Sequence, residues 1–484
     1  MRPPGKTNGR DLTTGSIGRT LIVFALPTLG ANVLQSLNGS INTIWVGRFL
    51  GEGALAATSN ANIIMFLMFG LVFGFGIAAT ILVGQAIGRH DLDAARRAFG
   101  SAVALVVGGS VVIGALGWLF APEILRLLAT PGDAMPLALA YLRVIFLGLP
   151  ASMLLILMMA VLRGAGDAVT PLWFMGLAVL IDGGLNPLLI DGIGPFPKMG
   201  IAGSATATLI ANHVAVIALA LFVYARDMPL RLRGAEWRYL LPDGQLVRTI
   251  VGKGVPIGAQ MLVMSTSGLT MMGLVNRLGV ETTAAYGVSQ QLWTYLQMPA
   301  LAIGAGVSAM AAQNIGAGRW DRVNRITGSG IAINVAVTGT VVALILLFDR
   351  PVMTLFLAGT SPAIGIARHI QLLSSWNFIL FGMAMVFFST VRANGAVLAP
   401  LAILVIAMYP VRIGFALAMR PVIGADALWW SFPLGSTASC AMAWAYYRYG
   451  GWRSLTMAGV RQGHQARGHL AAGEEPAGMD HAIS

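Results

Sequence analysis

One acidic residue stands apart from the others. The chain has 19 Asp and Glu in 484 residues, and Asp182 alone falls well inside a long apolar run, in Leu180-Ile181-Asp182-Gly183-Gly184-Leu185-Asn186-Pro187. A carboxylate in such a setting is costly, which makes it a functional candidate by default. Asn186 follows four residues later, so on a helix its amide shares the face of the carboxylate. Pro187 frees a backbone carbonyl nearby, and Gly183-Gly184 offers a neighbouring helix a close approach. An earlier run carries the same device in Asn38, Ser40 and Asn42, and Thr206 and Thr208 open a later one. Such a set can hold a proton on the carboxylate, or a hard cation such as Na⁺ among oxygens of Asp182, Asn186 and Asn42. The plainer alternative is that Asp182 ties helices together by hydrogen bonds.

A second group of residues suits a ligand rather than an ion. Twenty-four methionines, Met65, Met68, Met264 and Met298 among them, supply flexible, polarizable side chains for a pocket that accepts many apolar shapes. Gln260, Gln291 and Tyr295 add polar and aromatic contacts, and an aromatic face can hold a cation. Arg412 interrupts another apolar run; it biases the acid electrostatically, lines a cavity, snorkels to an edge or satisfies carbonyls. Gln260, Met264, Gln291, Tyr295, Met298 and Arg412 are the candidate ligand-binding set. His213, also deep in a run, reads as a hydrogen-bonded core residue.

Other chemistries lack their residues. The sequence holds no metal-ligand His pair, no phosphate-cradling GxxxxGK[ST] loop and no nucleophile elbow, so no enzyme is expected and no cofactor beyond a coupling ion, H⁺ or Na⁺. One cysteine, Cys440, excludes an intrachain disulfide framework. The net charge of +12 suggests nucleic acid at first sight, but the basic residues lie in the breaks between apolar runs, with few aromatics among them. No nucleic-acid partner is expected.

The elements that position these residues follow from composition. With 56% hydrophobic and 10% charged residues, the chain belongs in a bilayer. Runs near or above the ~20 residues of a helical span begin at Thr20, Gly53, Ala98, Val144, Ala168, Met199, Gly254, Thr282, Ile326, His369, Ala393 and Ala427, which makes twelve helices. With the N-terminus in the cytoplasm, 22 Lys and Arg fall in inside loops and 8 outside, which puts both termini in the cytoplasm. The two halves repeat at an offset of 228 or 229: Pro27 with Pro256, Gln85-x-Ile87-Gly88 with Gln313-x-Ile315-Gly316, Arg163 with Arg392, and Pro171 with Pro400. Arg412 thereby falls at the equivalent of Gly183. Six spans per repeat, an even number, give parallel copies related by an axis along the membrane normal, with a cavity between two lobes.

Several motifs then point to a family. Leu34-Gln35-Ser36 leads to Asn42-Thr43-Ile44-Trp45-Val46-Gly47, followed by Gly84-Gln85-x-x-Gly88 and Leu162-Arg163-Gly164-Ala165-Gly166-Asp167. Gly200-Ile201-Ala202-Gly203-Ser204-Ala205, Ala312-Gln313-Asn314-Ile315-Gly316 and Arg392-Ala393-Asn394-Gly395 complete the set. From about Gly18 to Tyr447 the chain resembles the multidrug and toxic compound extrusion (MATE) transporters. The resemblance implies an all-α integral membrane fold with two pseudo-symmetric six-helix lobes, which expels organic cations or amphipathic drugs by alternating access. It also implies an ion site in the N-lobe, with an acid in the first helix and an Asn-x-x-x-Asp pair in the fifth. Here Asn42 stands at the acid's place, the pair is swapped as Asp182-x-x-x-Asn186, and Thr208 looks like the threonine of that site. One formal charge is lost, which favours H⁺ over Na⁺ as the coupling ion.

The expected organisation is a cytoplasmic segment 1–17, an N-lobe 18–225, a linker 226–249, a C-lobe 250–447 and a disordered tail 448–484. The linker reads equally as an interfacial amphipathic helix or a solvated connection. Expected partners are small amphipathic or cationic molecules and the lipid bilayer, with the chain a monomer in a bacterial inner membrane. The alternative function is a flippase for a lipid-linked or polyprenyl substrate, which calls for several cations in the cavity.

Overall fold

In lipid every backbone group must find its partner within the chain, so long apolar stretches become helices. A computed structural model describes residues 11–127, 130, 132, 135–354 and 361–457 (the side chains of 52–68 and 71 excepted), and among them there is no strand. The spans are α1 (Ile17–Gly51), α2 (52–88), α3 (Leu92–Leu119), α4 (Met135–Gly164), α5 (Val169–Asp191) and α6 (Ile201–Ala225). The second set is α7 (Gly244–Asn276), α8 (Val280–Gly316), α9 (Trp320–Leu347), α10 (Ala363–Ser374 with Asn377–Arg392), α11 (Leu398–Ile423) and α12 (Asp426–Tyr449). Among the described residues nine helices are individually long and apolar enough to cross a membrane, and the two halves of α10, bent by 42°, make a tenth. The protein is a multi-pass membrane protein of two six-helix lobes.

Breaks in the helices have local causes. α1 and α2 are two helices that meet without a loop at a kink at Gly51, whose φ of 75° lies where other residues are strained. Asp91 caps α3 by accepting from the Ala94 amide, and Asp243 caps α7 through the amides of Gln245 and Leu246. In α11, residues Ala407–Ile413 widen into a π-helical turn that contains Pro410 and Arg412. One apolar core lies mainly in the N-lobe, around Leu142, Leu149 and Val161, and a second in the C-lobe, around Tyr286, Trp293 and Trp429. A third joins Leu12, Leu21 and Phe24 of the N-terminal region to Ile303, Val307 and Met310 of α8.

Three boundaries differ from the sequence reading. α4 starts at Met135, ahead of Val144, because Arg143 is carried inside the helix with its guanidinium 4.8 Å above the Trp118 ring. The segment before α7 is a partly exposed connection and not one continuous amphipathic helix. It buries Met228, Leu230 and Leu232, makes a short 3₁₀ helix at Gly234–Leu240, and docks on α3 through Arg96–Glu236 at 2.6 Å. The polar tail, expected to be disordered from 448, stays ordered through 457: Asn394 donates to the carbonyls of Trp452 and Leu455, and Trp452 is fully buried. Residues 458–484 lie outside the described ones.

Candidate functional site

Three helices of the N-lobe converge on Asp182. α5 carries it at mid-span, 2% exposed, and the i+4 spacing brings Asn186 Nδ2 to within 3.1 Å of its Oδ1. From α6, Thr208 Oγ1 donates to the same oxygen at 3.0 Å, and from α1, Asn38 Nδ2 donates to Oδ2 at 2.9 Å. The ionised carboxylate thus has three donors, two on Oδ1 and one on Oδ2. Two amide oxygens beside it, Asn38 Oδ1 and Asn186 Oδ1, are buried without a partner among the described residues. Unmet buried acceptors carry a free-energy cost, and a proton or cation arriving at the carboxylate would relieve it.

The remaining predicted members lie one step out. Asn42 does not bond to Asp182; its Oδ1 accepts from Ser204 Oγ of α6 at 2.5 Å, and the Tyr141 hydroxyl of α4 also meets its side chain. Ser40 and Thr206 turn their hydroxyls back to the carbonyls of Ser36 and Ala202 and take no part. Gly183 does not permit a closer helix approach than an ordinary one: a Cβ there would sit 3.6 Å from Ile41. His213 is not a core residue. It lies on the exposed face of α6 with Nδ1 2.8 Å from the Leu209 carbonyl. Among the described residues no group of three acidic, His or Cys side chains is placed to hold a metal ion.

The candidate ligand residues divide. A cavity of about 380 Å³ in the C-lobe is lined by Met264 of α7, Gln291 of α8 and Arg412 of α11, together with Gln290, Trp293, Asn377, Phe378 and Phe432. Gln260, Tyr295 and Met298 do not line it. Gln260 is buried between Arg392 and the Val397 carbonyl, Met298 is core, and Tyr295 only accepts from Gln291 at 3.3 Å. Met65 and Met68 fall among side chains outside the described ones.

At the end of the molecule that holds residues 11–15 and 451–457, the lobes close on each other symmetrically. Gln85 Nε2 of α2 donates to the Ala393 carbonyl at 2.7 Å, and its repeat counterpart Gln313 of α8 donates to the Gly164 carbonyl at 3.0 Å. The helix backbones touch there: a Cβ on Gly88 would meet Gln313 O at 2.0 Å, and one on Gly316 would meet Gln85 O at 2.1 Å. Residues 11–15 lie over the seam, with the Leu12 amide on Gln313 Oε1 at 3.1 Å and Asn314 Nδ2 on the Leu12 carbonyl at 3.0 Å.

This two-fold arrangement has a counterpart in a family model. The model for MatE matches the chain twice, over residues 27–188 and 256–417. The chain belongs to the MatE family. The Bacillus subtilis (strain 168) protein named "Probable multidrug resistance protein YoeA" is 33% identical over 90% of this chain and 94% of its own length. "Probable multidrug resistance protein YpnP" of the same organism is 28% identical over 92% of this chain and 98% of its own. A crystal structure of MATE in complex with MaD3S has the same fold, with a TM-score of 0.84 at 21% identity, covering 91% of this chain and 98% of the other. Within this MatE chain, Tyr141 and Ser204 are the site residues that sequence reasoning passed over. Ser204 lay in a quoted motif and four residues from Thr208, a spacing that could have exposed it. Tyr141 had no such signal, because Arg143 appeared to end the span.

Proposed function

We propose that the chain is a secondary active antiporter that expels amphipathic drugs, organic cations among them, in exchange for H⁺ by alternating access. The observation that carries this is the Asp182 cluster between α1, α5 and α6. Oδ2 has one donor against two on Oδ1, so it is the oxygen with room for a proton. A proton there displaces the Asn38 N–H, and a turn of that amide offers its unpartnered Oδ1 to the new O–H instead. Protonation therefore rewrites the contact between α1 and α5, which is the kind of local change that biases a two-state lobe. The sealed end carries the excess of basic residues and is assigned to the cytoplasm of a bacterial inner membrane. The protein acts as a monomer and not as an enzyme.

Na⁺ is the second reading, favoured by the unpartnered Asn186 Oδ1 beside the carboxylate. The flippase alternative is weaker, because among the described residues Arg412 is the one charged side chain lining the cavity around Trp293 and Phe432, too few cations for a lipid pyrophosphate. Ethidium or fluoroquinolone flux in proteoliposomes, under an imposed H⁺ or Na⁺ gradient separately, tests the proposal. Uptake driven by H⁺ and lost in Asp182→Asn is expected. Full gradient-driven flux in Asp182→Asn would overturn the coupling assignment.

A further inference from the structure

Arg412 has no partner that explains its place. It lies in α11 eleven residues before Ile423, roughly 16 Å from the nearer helix end at about 1.5 Å per residue. A cation at that depth is expensive and calls for a counter-charge. It makes no ion pair among the described residues, and none of the residues lining its cavity is acidic. Its guanidinium rests 3.8 Å above the Phe432 ring, with Nη1 3.6 Å from Met408 Sδ, and its Nε is buried without a hydrogen-bond partner.

The fold maintains this position. The π-helical turn at Ala407–Ile413 sets the side chain off the regular helical path. Gly435 of α12 makes room for it, since a Cβ there would lie 3.1 Å from Arg412 Cβ and 3.2 Å from the Ala407 carbonyl. The neutral amides nearby are each partly engaged: Gln290 donates to the Tyr286 hydroxyl, Gln291 to Tyr295, and Asn377 to the Ser374 carbonyl. The guanidinium is the cavity's charged donor with capacity left, a planar fork suited to paired oxygens. Around it Trp293, Phe378 and Phe432 form aromatic walls in a space of about 380 Å³, within the range of small-molecule pockets.

We propose that this C-lobe cavity binds the anionic oxygen group, carboxylate or phosphate monoester, of an aromatic amphipathic cargo, with Arg412 as its counter-charge. The proposal rests on reading the chain as an exporter of amphipathic molecules and gives part of its cargo a sign opposite to that of an organic cation. The counter-charge that the protein lacks arrives with the ligand, and the aromatic walls bury its body.

The test is equilibrium binding to the purified full chain in nanodiscs of neutral phosphatidylcholine, followed by ligand fluorescence. The probes are 2-naphthoate, 2-naphthyl phosphate and the uncharged methyl 2-naphthoate. Either anion should bind roughly tenfold or more tightly than the ester, since the hydrogen bonds gained are charge-assisted, and the tighter anion identifies the group. Arg412→Gln should abolish the preference, and Arg412→Lys should retain part of it. An ester bound as tightly as both anions by the native chain overturns the proposal, with no variant needed. So does an undiminished preference in a folded Arg412→Gln protein. Because binding is read without a gradient, an absence of ethidium flux in the native chain would reject the transport reading without deciding this one.

Discussion

Removing the paired glutamines at the sealed end should open it. In Gln85→Met and Gln313→Met, the Ala393 and Gly164 carbonyls lose the donors that now reach them at 2.7 and 3.0 Å. Both glutamines are at most 5% exposed, so water does not replace the donors while the lobes stay closed. A buried carbonyl left without a partner costs about 1–3 kcal/mol. In the open state water satisfies it, so the cost falls on the sealed state alone. The double variant should therefore shift the balance by roughly 2–6 kcal/mol, about 30-fold or more at the lower bound. Gln313 also accepts from the Leu12 amide, which adds to the effect with the same sign. The assay is pulsed electron paramagnetic resonance between spin labels at Arg97→Cys and Arg325→Cys, both exposed, with buried Cys440 replaced by Ala. The expected result is a new, longer distance population that grows from either single variant to the double. An unchanged distance distribution in the double variant would refute the idea that these two bonds hold the lobes together.

Gly88→Ala should act on the same equilibrium more harshly, because its Cβ would lie 2.0 Å from Gln313 O; a lower unfolding temperature or the same long-distance population is expected. Asn38→Ala should weaken H⁺-driven flux while leaving the fold intact, as it removes the one donor on Asp182 Oδ2; proteoliposome flux alongside thermal unfolding checks both halves. The contact of residues 11–15 with α8 should depend on pH only in acid. Burial raises the Asp11 carboxyl's pKa, but hydrogen bonds from the Thr13 side chain and amide and from Thr14 outweigh it and hold the group below the ordinary 3.8. Its contribution is thus fully present above about pH 3.8 and lost as pH falls through the lowered value. A spin label at Ser16→Cys should keep one mobility from pH 5 to 8 and loosen only below about 4, a transition absent in Asp11→Asn.

How far the sequence led differs between the two sites. The Asp182 cluster was largely legible, because a lone carboxylate among apolar residues is conspicuous and an i+4 spacing fixes the face on which Asn186 sits. Asn38 and Thr208 followed from depth along their spans. Tyr141 was hidden by Arg143, whose charge looked like a loop until Trp118 was found beneath it. In α8 the cavity is lined by Gly287, Gln290, Gln291, Trp293, Thr294 and Gln297, steps of one to three residues that keep mostly to one face. Met298 is four residues from Thr294 and Tyr295 four from Gln291, so helical period alone keeps both near that face, and only the packing that buries Met298 sets it aside.

Sequence alone determined the solvent, the helices, the repeat and the acid, because each is a local or periodic property of the chain. Hydropathy, hydrophobic length and the offset of 228 or 229 need no knowledge of who touches whom. Tertiary structure decided which oxygens meet Asp182, which glutamines bridge the lobes and what surrounds Arg412. Those depend on helix rotation and crossing, set where backbones meet at Gly88 and Gly316 and where α11 widens to pass Gly435. Apolar runs in lipid are free to rotate without changing their hydropathy, so only packing fixes the direction in which each polar side chain points.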